Sequence, residues 1–246
     1  MNKTAIIIPT RLAAQRLPNK PLKLINNKEM ILHVYEAAVK SNVGEVIVAT
    51  PDQKILETIT KIGGKAVITK ENHETGTDRV FEVFKNLLKT KPDVIINLQG
   101  DMPNIDSEVI AGLVAYMKKN ECDIGTLASD FSSENEKEDV NVVKVAVKNK
   151  FSETSFLNAL DFFRINKKMD NVYHHIGIYG FTSKSLIRYV SLKRSKLELE
   201  RKLEQLRALE NGMNIHVGYI KSSPLSVDTE EDLAEVKNLM KKNEKN

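Results

Sequence analysis

Four short aliphatic runs, Thr4 to Ile8, Glu45 to Ala49, Lys65 to Ile68 and Val94 to Leu98, alternate with stretches whose apolar residues recur at helical spacing. Those stretches are Met30 to Val39, Gln53 to Ile62 and Asp78 to Leu88. Apolar runs without polar alternation are strands buried on both faces, and strand-helix-strand repetition is satisfied by a mostly parallel sheet flanked by helices. In such an α/β fold, ligands bind at the carboxyl ends of the strands, so the chemistry is sought in the loops that leave them. The second half is less regular. Ile124 to Leu127, Val142 to Val147, Ile176 to Gly180 and Ile215 to Tyr219 are expected as strands, the last an inner one, and Asp130 to Asp139 as a polar loop. Residues 151–175 carry no clear period. Leu197, Leu199, Leu203, Leu206 and Leu209 predict one strong helix from Lys196 to Asn211 that stops at Gly212, and Glu230 to Met240 a final helix. No repeat or linker interrupts the chain, so one domain over residues 1–246 is expected.

Composition removes several classes of function. The chain has 246 residues, 41% hydrophobic and 28% charged, with 37 basic against 33 acidic side chains, the balance of an ordinary globular protein. Its aliphatic runs, such as Ala5 to Ile8, are too short to span a bilayer, and the N-terminus lacks the pattern of a signal peptide. Cys122 stands alone, which excludes an internal disulfide framework and a multi-cysteine zinc site. A net charge of +4 with 6% aromatics and no Trp argues against a nucleic-acid platform. The expectation is a cytoplasmic protein that takes neither nucleic acid nor membrane as partner, with a solvated, frayed Lys-rich end over 240–246.

The loop after the first run carries Arg11, Arg16 and Lys20 between Pro9 and Pro21. Converging cations at a strand end suit a triphosphate, and a solvated surface loop is the other reading. Neither a G-x-x-x-x-G-K-[ST] loop nor a G-x-G-x-x-G turn is present, so the chain is neither a P-loop NTPase nor an ordinary dinucleotide-binding dehydrogenase. Glu74 to Arg79 reads either as a loop packed on a nucleotide, with Gly76 allowing close approach, or as a plain helix start with Thr77 as N-cap. In Gln99-Gly100-Asp101, the carboxylate after a strand and a glycine is placed either to hold Mg²⁺ or to form a turn before Pro103. Asp228 reads as a helix cap unless the fold brings it beside Asp101. His174 and His175 directly precede the expected strand at 176–180, and since adjacent strand residues point to opposite faces at most one of them can face a shared site, so they are no metal-ligand pair. By pattern alone Glu204 and Gln205 are exposed polar residues on the long helix.

Taken together, these blocks resemble the 3-deoxy-manno-octulosonate cytidylyltransferase (CMP-KDO synthetase) family. The resemblance rests on Ile7-Ile8-Pro9-x-Arg11, Arg16-Leu17-Pro18-x-Lys20-Pro21-Leu22, Thr75 to Arg79, Gln99-Gly100-Asp101, His175 to Gly180, Leu203 to Arg207 and Val227-Asp228-Thr229-x-Glu231-Asp232-Leu233. It implies a Rossmann-like fold of the nucleotide-diphospho-sugar transferase type with an inserted sugar-binding and dimerisation subregion at roughly 130–215. It also implies a homodimeric, Mg²⁺-dependent nucleotidyltransferase that moves CMP from CTP onto KDO, releases pyrophosphate and feeds lipopolysaccharide synthesis. Carried over by position, Arg11, Arg16, Lys20, Thr75, Gly76 and Arg79 hold the nucleotide, and Asp101 and Asp228 hold the metal. Lys20, Arg16, Asp101 and Asp228 are the catalytic set, while Gln99, His175, Tyr179, Glu204 and Gln205 line the sugar pocket, with Gln99, His175 and Gln205 as donors to the sugar anion. Two departures stand out. Phe156 to Leu160 lacks the Arg of the family's Phe-Ser-Arg-like segment, and His174 replaces a more usual Arg. They leave open a cytidylyltransferase for a related acid, amino-substituted KDO or sialic-acid-like, or a catalytically weakened nucleotide-binding regulator.

Overall fold

A computed structural model describes residues 3–13, 16–86, 88, 91–152, 155–165 and 169–243. Along the chain come β1 (Thr4–Pro9), a 3-10 turn (Lys20–Leu22), β2 (Leu24–Ile25), β3 (Lys28–Glu29), α1 (Met30–Lys40), β4 (Glu45–Thr50) and α2 (Gln53–Lys61). Next are β5 (Ala66–Ile68), α3 (Gly76–Asn86), β6 (Val94–Leu98), α4 (Ser107–Lys119), β7 (Ile124–Ser129), α5 (Glu134–Glu138) and β8 (Lys144–Val147). The chain continues through β9 (Phe156–Phe163), β10 (Val172–Thr182), α6 (Ser183–Ser191), α7 (Lys196–Arg201), α8 (Gln205–Glu210), β11 (Ile215–Tyr219) and α9 (Glu230–Asn243).

One nine-stranded sheet runs β5-β4-β1-β6-β10-β7-β11-β9-β8. The first half is parallel, as its unbroken apolar strands require, with β1 between β4 and β6. The chain steps outward from β1 to β4 and β5, then returns to the other side of β1 as β6. The loops after β1 and β6 therefore diverge around a crevice, the switch point where such sheets bind ligands. The second half is mixed. β10 lies antiparallel between β6 and β7, and β7 and β11 are parallel. β8 pairs with both β9 and β10, so β10, β7, β11, β9 and β8 close into a ring. The antiparallel pairs need no crossover helix, which is why the strand-helix period fades from the sequence there.

Apolar residues pack on both faces: Ala5 and Ile7 of β1 belong to one core, Ile6 and Ile8 to the other. A third, smaller core joins Leu17, Ile25 and Met30 to Val227, Leu233 and Val236. It fastens the loop after β1 to α9, two segments more than 200 residues apart in sequence. Three expectations need correcting. Lys196 to Asn211 is two short helices, because Lys202 turns left-handed at φ 54°. A straight helix would separate residues 198 and 207 by about 13.5 Å along its axis. The break instead lets Arg207 grip Glu198 through two bonds of 2.9 and 2.6 Å. Residues 156–163 form a strand where the sequence carries no clear period, the expected strand at 176–180 begins earlier, at Val172, and the polar loop contains α5, capped by the Ser133 hydroxyl. The stop at Gly212 holds, with φ 66°. Residues 244–246 of the Lys-rich end, and Ala14 and Gln15 of the basic loop, lie outside the described residues.

Candidate active site

The crevice is a cavity of ≈ 920 Å³ whose walls come from the β1 loop, the start of α3, the end of β6, Glu204 and Asp228. Its first wall is held at several points. Thr10 N donates to Ala49 O at 3.0 Å, Leu12 N to the Asp52 carboxylate at 2.8 Å, and Leu17 is buried in the third core. Asn19 takes φ 56°, a left-handed conformation that asparagine tolerates, and caps the 3-10 turn in which Pro21 follows Lys20. Arg11, Arg16 and Lys20 all line the cavity. Arg11 is exposed and forms no ion pair among the described residues.

Lys20 is the electrostatic centre. Its Nζ lies 3.2 Å from Asp101 Oδ2 and 3.0 Å from Asp228 Oδ1, and Arg16 Nη2 reaches Asp228 Oδ2 at 2.8 Å. Burial works against the Lys20 charge, but the two carboxylates outweigh it and hold the ammonium above its ordinary range. Burial likewise opposes the Asp228 charge, yet Lys20, Arg16 and Arg164 together hold its carboxyl below the usual range. Asp228 is not the helix cap. Thr229 takes that task, its hydroxyl accepting from Asp232 N at 3.2 Å, while the Asp232 carboxylate accepts from Thr229 N and Asp228 N at 2.9 Å each. The Asp228 carboxylate is thus free for the cavity, and Val227 N donates to Asp101 O at 2.9 Å, which keeps the two aspartates side by side.

On the opposite wall, the N-cap of α3 is Thr75 rather than Thr77. The Thr75 hydroxyl accepts from Asp78 N at 3.2 Å and the Asp78 carboxylate accepts from Thr75 N at 3.1 Å, a capping box two positions earlier than expected. Thr77 lies inside the helix and donates its hydroxyl proton to Glu204 Oε2 at 2.8 Å. Glu204, expected by pattern to be exposed, accepts from Gly76 N at 3.3 Å and Thr77 N at 3.4 Å, an anion seated on the α3 N-terminus. The break at Lys202 places it there. Arg79 lines the cavity from beneath and is 4% exposed. It spends donors on Thr69 Oγ1, Lys70 O at 2.8 Å and Glu71 O at 3.1 Å, which braces the loop ahead of Thr75.

Gln99, Asp101 and Glu204 stand in the wall itself, whereas His175, Tyr179 and Gln205 stand behind it. His175 is buried, its Nε2 2.9 Å from Thr126 Oγ1, and burial beside His174 pushes it down to about 3, so it is a neutral ring. Tyr179 lies against His175 at a ring separation of 5.6 Å, and burial near Glu204 pushes its hydroxyl up. Gln205 is 5% exposed. His174 does face away from His175: its Nδ1 pairs with Glu136 Oε1 at 2.6 Å.

Arg164 was missed. Phe156 to Leu160 indeed lacks an Arg, but β9 ends at Phe162-Phe163 and is followed by Arg164, a Phe-x-Arg triplet further along the chain. Arg164 Nη1 donates to Asn141 O at 2.7 Å, and its charge reaches Asp228 and Tyr179. Lys144, fully buried, braces it from below by donating to Asp139 O and, at 2.7 Å, to Arg164 O. A cation therefore stands just past the end of the same strand.

Asp101 and Asp228 already share one cation, the Lys20 ammonium. Two hard carboxylates, a quarter and two-fifths exposed, match the donor set that Mg²⁺ takes when phosphate oxygens and water complete its shell. Among the described residues no cluster of three or more metal-binding side chains exists.

The cytidylyltransferase family model matches residues 5–215. A 3-deoxy-manno-octulosonate cytidylyltransferase from Brucella anthropi is 41% identical over 237 residues, 94% of each chain. One from Brucella canis is 41% identical over 234 residues, 94% of this chain and 93% of its own. The solved structure of a CMP:2-keto-3-deoxy-manno-octonic acid synthetase complexed with CTP superposes with a TM-score of 0.88 at 35% identity, covering 98% and 99% of the two chains. A 4-diphosphocytidyl-2C-methyl-D-erythritol synthase from Anaerococcus prevotii, at 14% identity and a TM-score of 0.64, shares the fold.

Proposed function

The chain belongs to the 3-deoxy-manno-octulosonate cytidylyltransferases, and on that premise we propose that it transfers CMP from CTP to the anomeric hydroxyl of KDO with release of pyrophosphate. The observation that carries this reading is the Lys20 ammonium bridging Asp101 and Asp228 beside Arg11 and Arg16 at the switch point of the sheet. In-line attack on the α-phosphate builds charge on the departing pyrophosphate, so positioned cations matter more than a protein nucleophile. Arg11, Arg16 and Lys20 neutralise that charge. Thr75 and Gly76 pack the nucleotide against the start of α3, with Arg79 bracing their loop. Asp101 and Asp228 would hold Mg²⁺, which supplies charge neutralisation at phosphate oxygens and lowers the pKa of a bound hydroxyl. Gln99 and Glu204 face the sugar directly; His175, Tyr179 and Gln205 shape the wall behind them.

We assign the sugar carboxylate to Arg164, a cation whose charge reaches Asp228 and Tyr179. Arg164→Ala is expected to raise the KM for the sugar acid about 10- to 100-fold, the worth of a charge-assisted hydrogen bond, with the KM for CTP changed less than threefold. Equal shifts in both constants, measured by steady-state kinetics, would place Arg164 at the nucleotide instead.

The resemblance further supports a homodimer, a cytoplasmic location and a product used for lipopolysaccharide assembly. The exposed apolar side chains Val140, Leu160 and Ile165 give residues 130–215 a surface suited to a second copy. No described helix is long and apolar enough to cross a membrane. The deciding assay is pyrophosphate release from CTP and Mg²⁺ with KDO, amino-substituted KDO, N-acetylneuraminate or no acceptor. Release with KDO is expected; release only with another acid would keep the nucleotide chemistry and move the acceptor. Silence with every acceptor would overturn the transferase reading.

A further inference from the structure

Resting on that reading, we infer that Asn97 and Thr77 are positioning residues that fix the polarity of Gln99, so that its amide oxygen is left to the cavity as a hydrogen-bond acceptor for the sugar.

The polarity follows from one end of a chain of hydrogen bonds. Backbone Gly76 N and Thr77 N point at the Glu204 carboxylate, which therefore accepts. The single hydroxyl proton of Thr77 goes to Glu204 Oε2 at 2.8 Å, so Thr77 Oγ1 is left as an acceptor. Asn97, fully buried on β6, must then turn its amide nitrogen toward Thr77, and Nδ2 lies 3.2 Å from Oγ1. Its oxygen consequently faces Gln99, which must present its own nitrogen, and Gln99 Nε2 lies 3.1 Å from Asn97 Oδ1. Gln99 Oε1 receives no hydrogen bond from a described residue and belongs to a side chain that lines the cavity. An Asn or Gln amide is otherwise indifferent to a half-turn; here each link forbids it, since reversal sets two donors or two acceptors face to face in a buried site. Gln99 Oε1 and the Glu204 carboxylate then form a pair of acceptors that recognises hydroxyl protons of a polyhydroxylated chain, and the acid group of the sugar is left to Arg164.

The test uses the intact enzyme and analogues of the sugar acid in which each chain hydroxyl is exchanged in turn for fluorine, an acceptor only, or for an ammonium, a donor only. Dissociation constants are read by calorimetry, and turnover of the parent acid is measured separately. At one position the amino analogue is expected to bind within about threefold of the parent and the fluoro analogue about tenfold more weakly. Asn97→Ala, which frees the Gln99 amide to rotate, should reduce that amino-to-fluoro ratio to below about three. The near-isosteric Thr77→Val should do the same and serves if the alanine variant does not fold. A wild-type enzyme that binds the parent acid but tolerates fluorine as well as amine at every position overturns this inference alone, as does an unchanged ratio in both variants. Failure to bind and turn over the parent acid overturns the functional reading, and this one with it.

Discussion

Asp228→Ala is expected to lower pyrophosphate release by about a thousandfold while shifting the melting temperature by no more than a few degrees, and Asp101→Ala to do likewise. Removing one preorganised electrostatic group from a site of this kind costs about 10²- to 10³-fold in turnover, and these carboxylates are the proposed metal ligands as well as the partners of Lys20. Stability is a different matter. The Asp228 carboxylate is 41% exposed and its ion pairs with Lys20 and Arg16 are partly solvated, so their loss costs on the order of 1 kcal/mol or less. Thr229 and Asp232, not Asp228, cap α9, so the helix start survives the change. Glu230→Ala is the matched control: Glu230 pairs with Lys23 at 2.6 Å on the outside of the same helix start, and its loss should leave turnover alone. Steady-state kinetics over a Mg²⁺ titration, with thermal melts alongside, read both quantities. Near-normal turnover in either aspartate variant would remove that residue from the metal assignment.

Glu198→Ala is expected to cost about 3–5 kcal/mol, the penalty for leaving one member of a buried ion pair without its partner. For a chain of this length that is a fall of roughly 10 °C in melting temperature. Glu198 is 0% and Arg207 3% exposed at the side chain. The carboxylate also accepts from Arg194 Nε at 2.9 Å and from Ser195 N at 3.1 Å, and the Arg207 guanidinium lies 4.7 Å above the Tyr189 ring. Burial opposes the Glu198 charge, but Arg207, Arg194 and the Ser195 amide hold its carboxyl below 4.5. A depressed folded-state value stabilises the fold above pH 4.5 and loses that contribution as the pH falls through the folded-state value. Wild-type stability should therefore drop more steeply below pH 4.5 than that of Glu198→Ala. Replacing both partners, Glu198→Met with Arg207→Met, should recover most of the loss, since an apolar pair leaves no orphaned charge. If the double variant melts as low as the single one, the contribution comes from packing in this corner rather than from the pair. The corner also reaches the site, because the Tyr189 hydroxyl donates to Glu204 O at 3.0 Å.

Much of the site was legible because its residues come in contiguous blocks. Arg11, Arg16 and Lys20 sit in one loop, Thr75 and Gly76 in another, and each follows a strand whose apolar composition marks it. What pattern alone misjudged depends on distance in the fold. Glu204 has the sequence setting of an exposed helical glutamate, and only the left-handed turn at Lys202 delivers it to the α3 N-terminus. Arg164 was hidden by a strand whose period is masked by its place in a closed ring of sheet. Asn97 and Thr77 gave no signal of their own, since a buried asparagine in an apolar strand acquires meaning only from the groups it faces.

The parallel half of the sheet, the crevice at its switch point and the cations beside it follow from the amino-acid order alone, because strand burial and loop chemistry are local properties of short stretches. It took the folded molecule to bring Asp228 beside Asp101, to join them through Lys20, and to set Gln99 at the end of a chain of hydrogen bonds from Glu204. Those are meetings between segments far apart in the chain, made by the small core of Leu17, Val227 and Leu233 and by the broken helix of residues 196–210. The free energy that holds them comes from packing and buried polar pairing, which a local pattern does not encode.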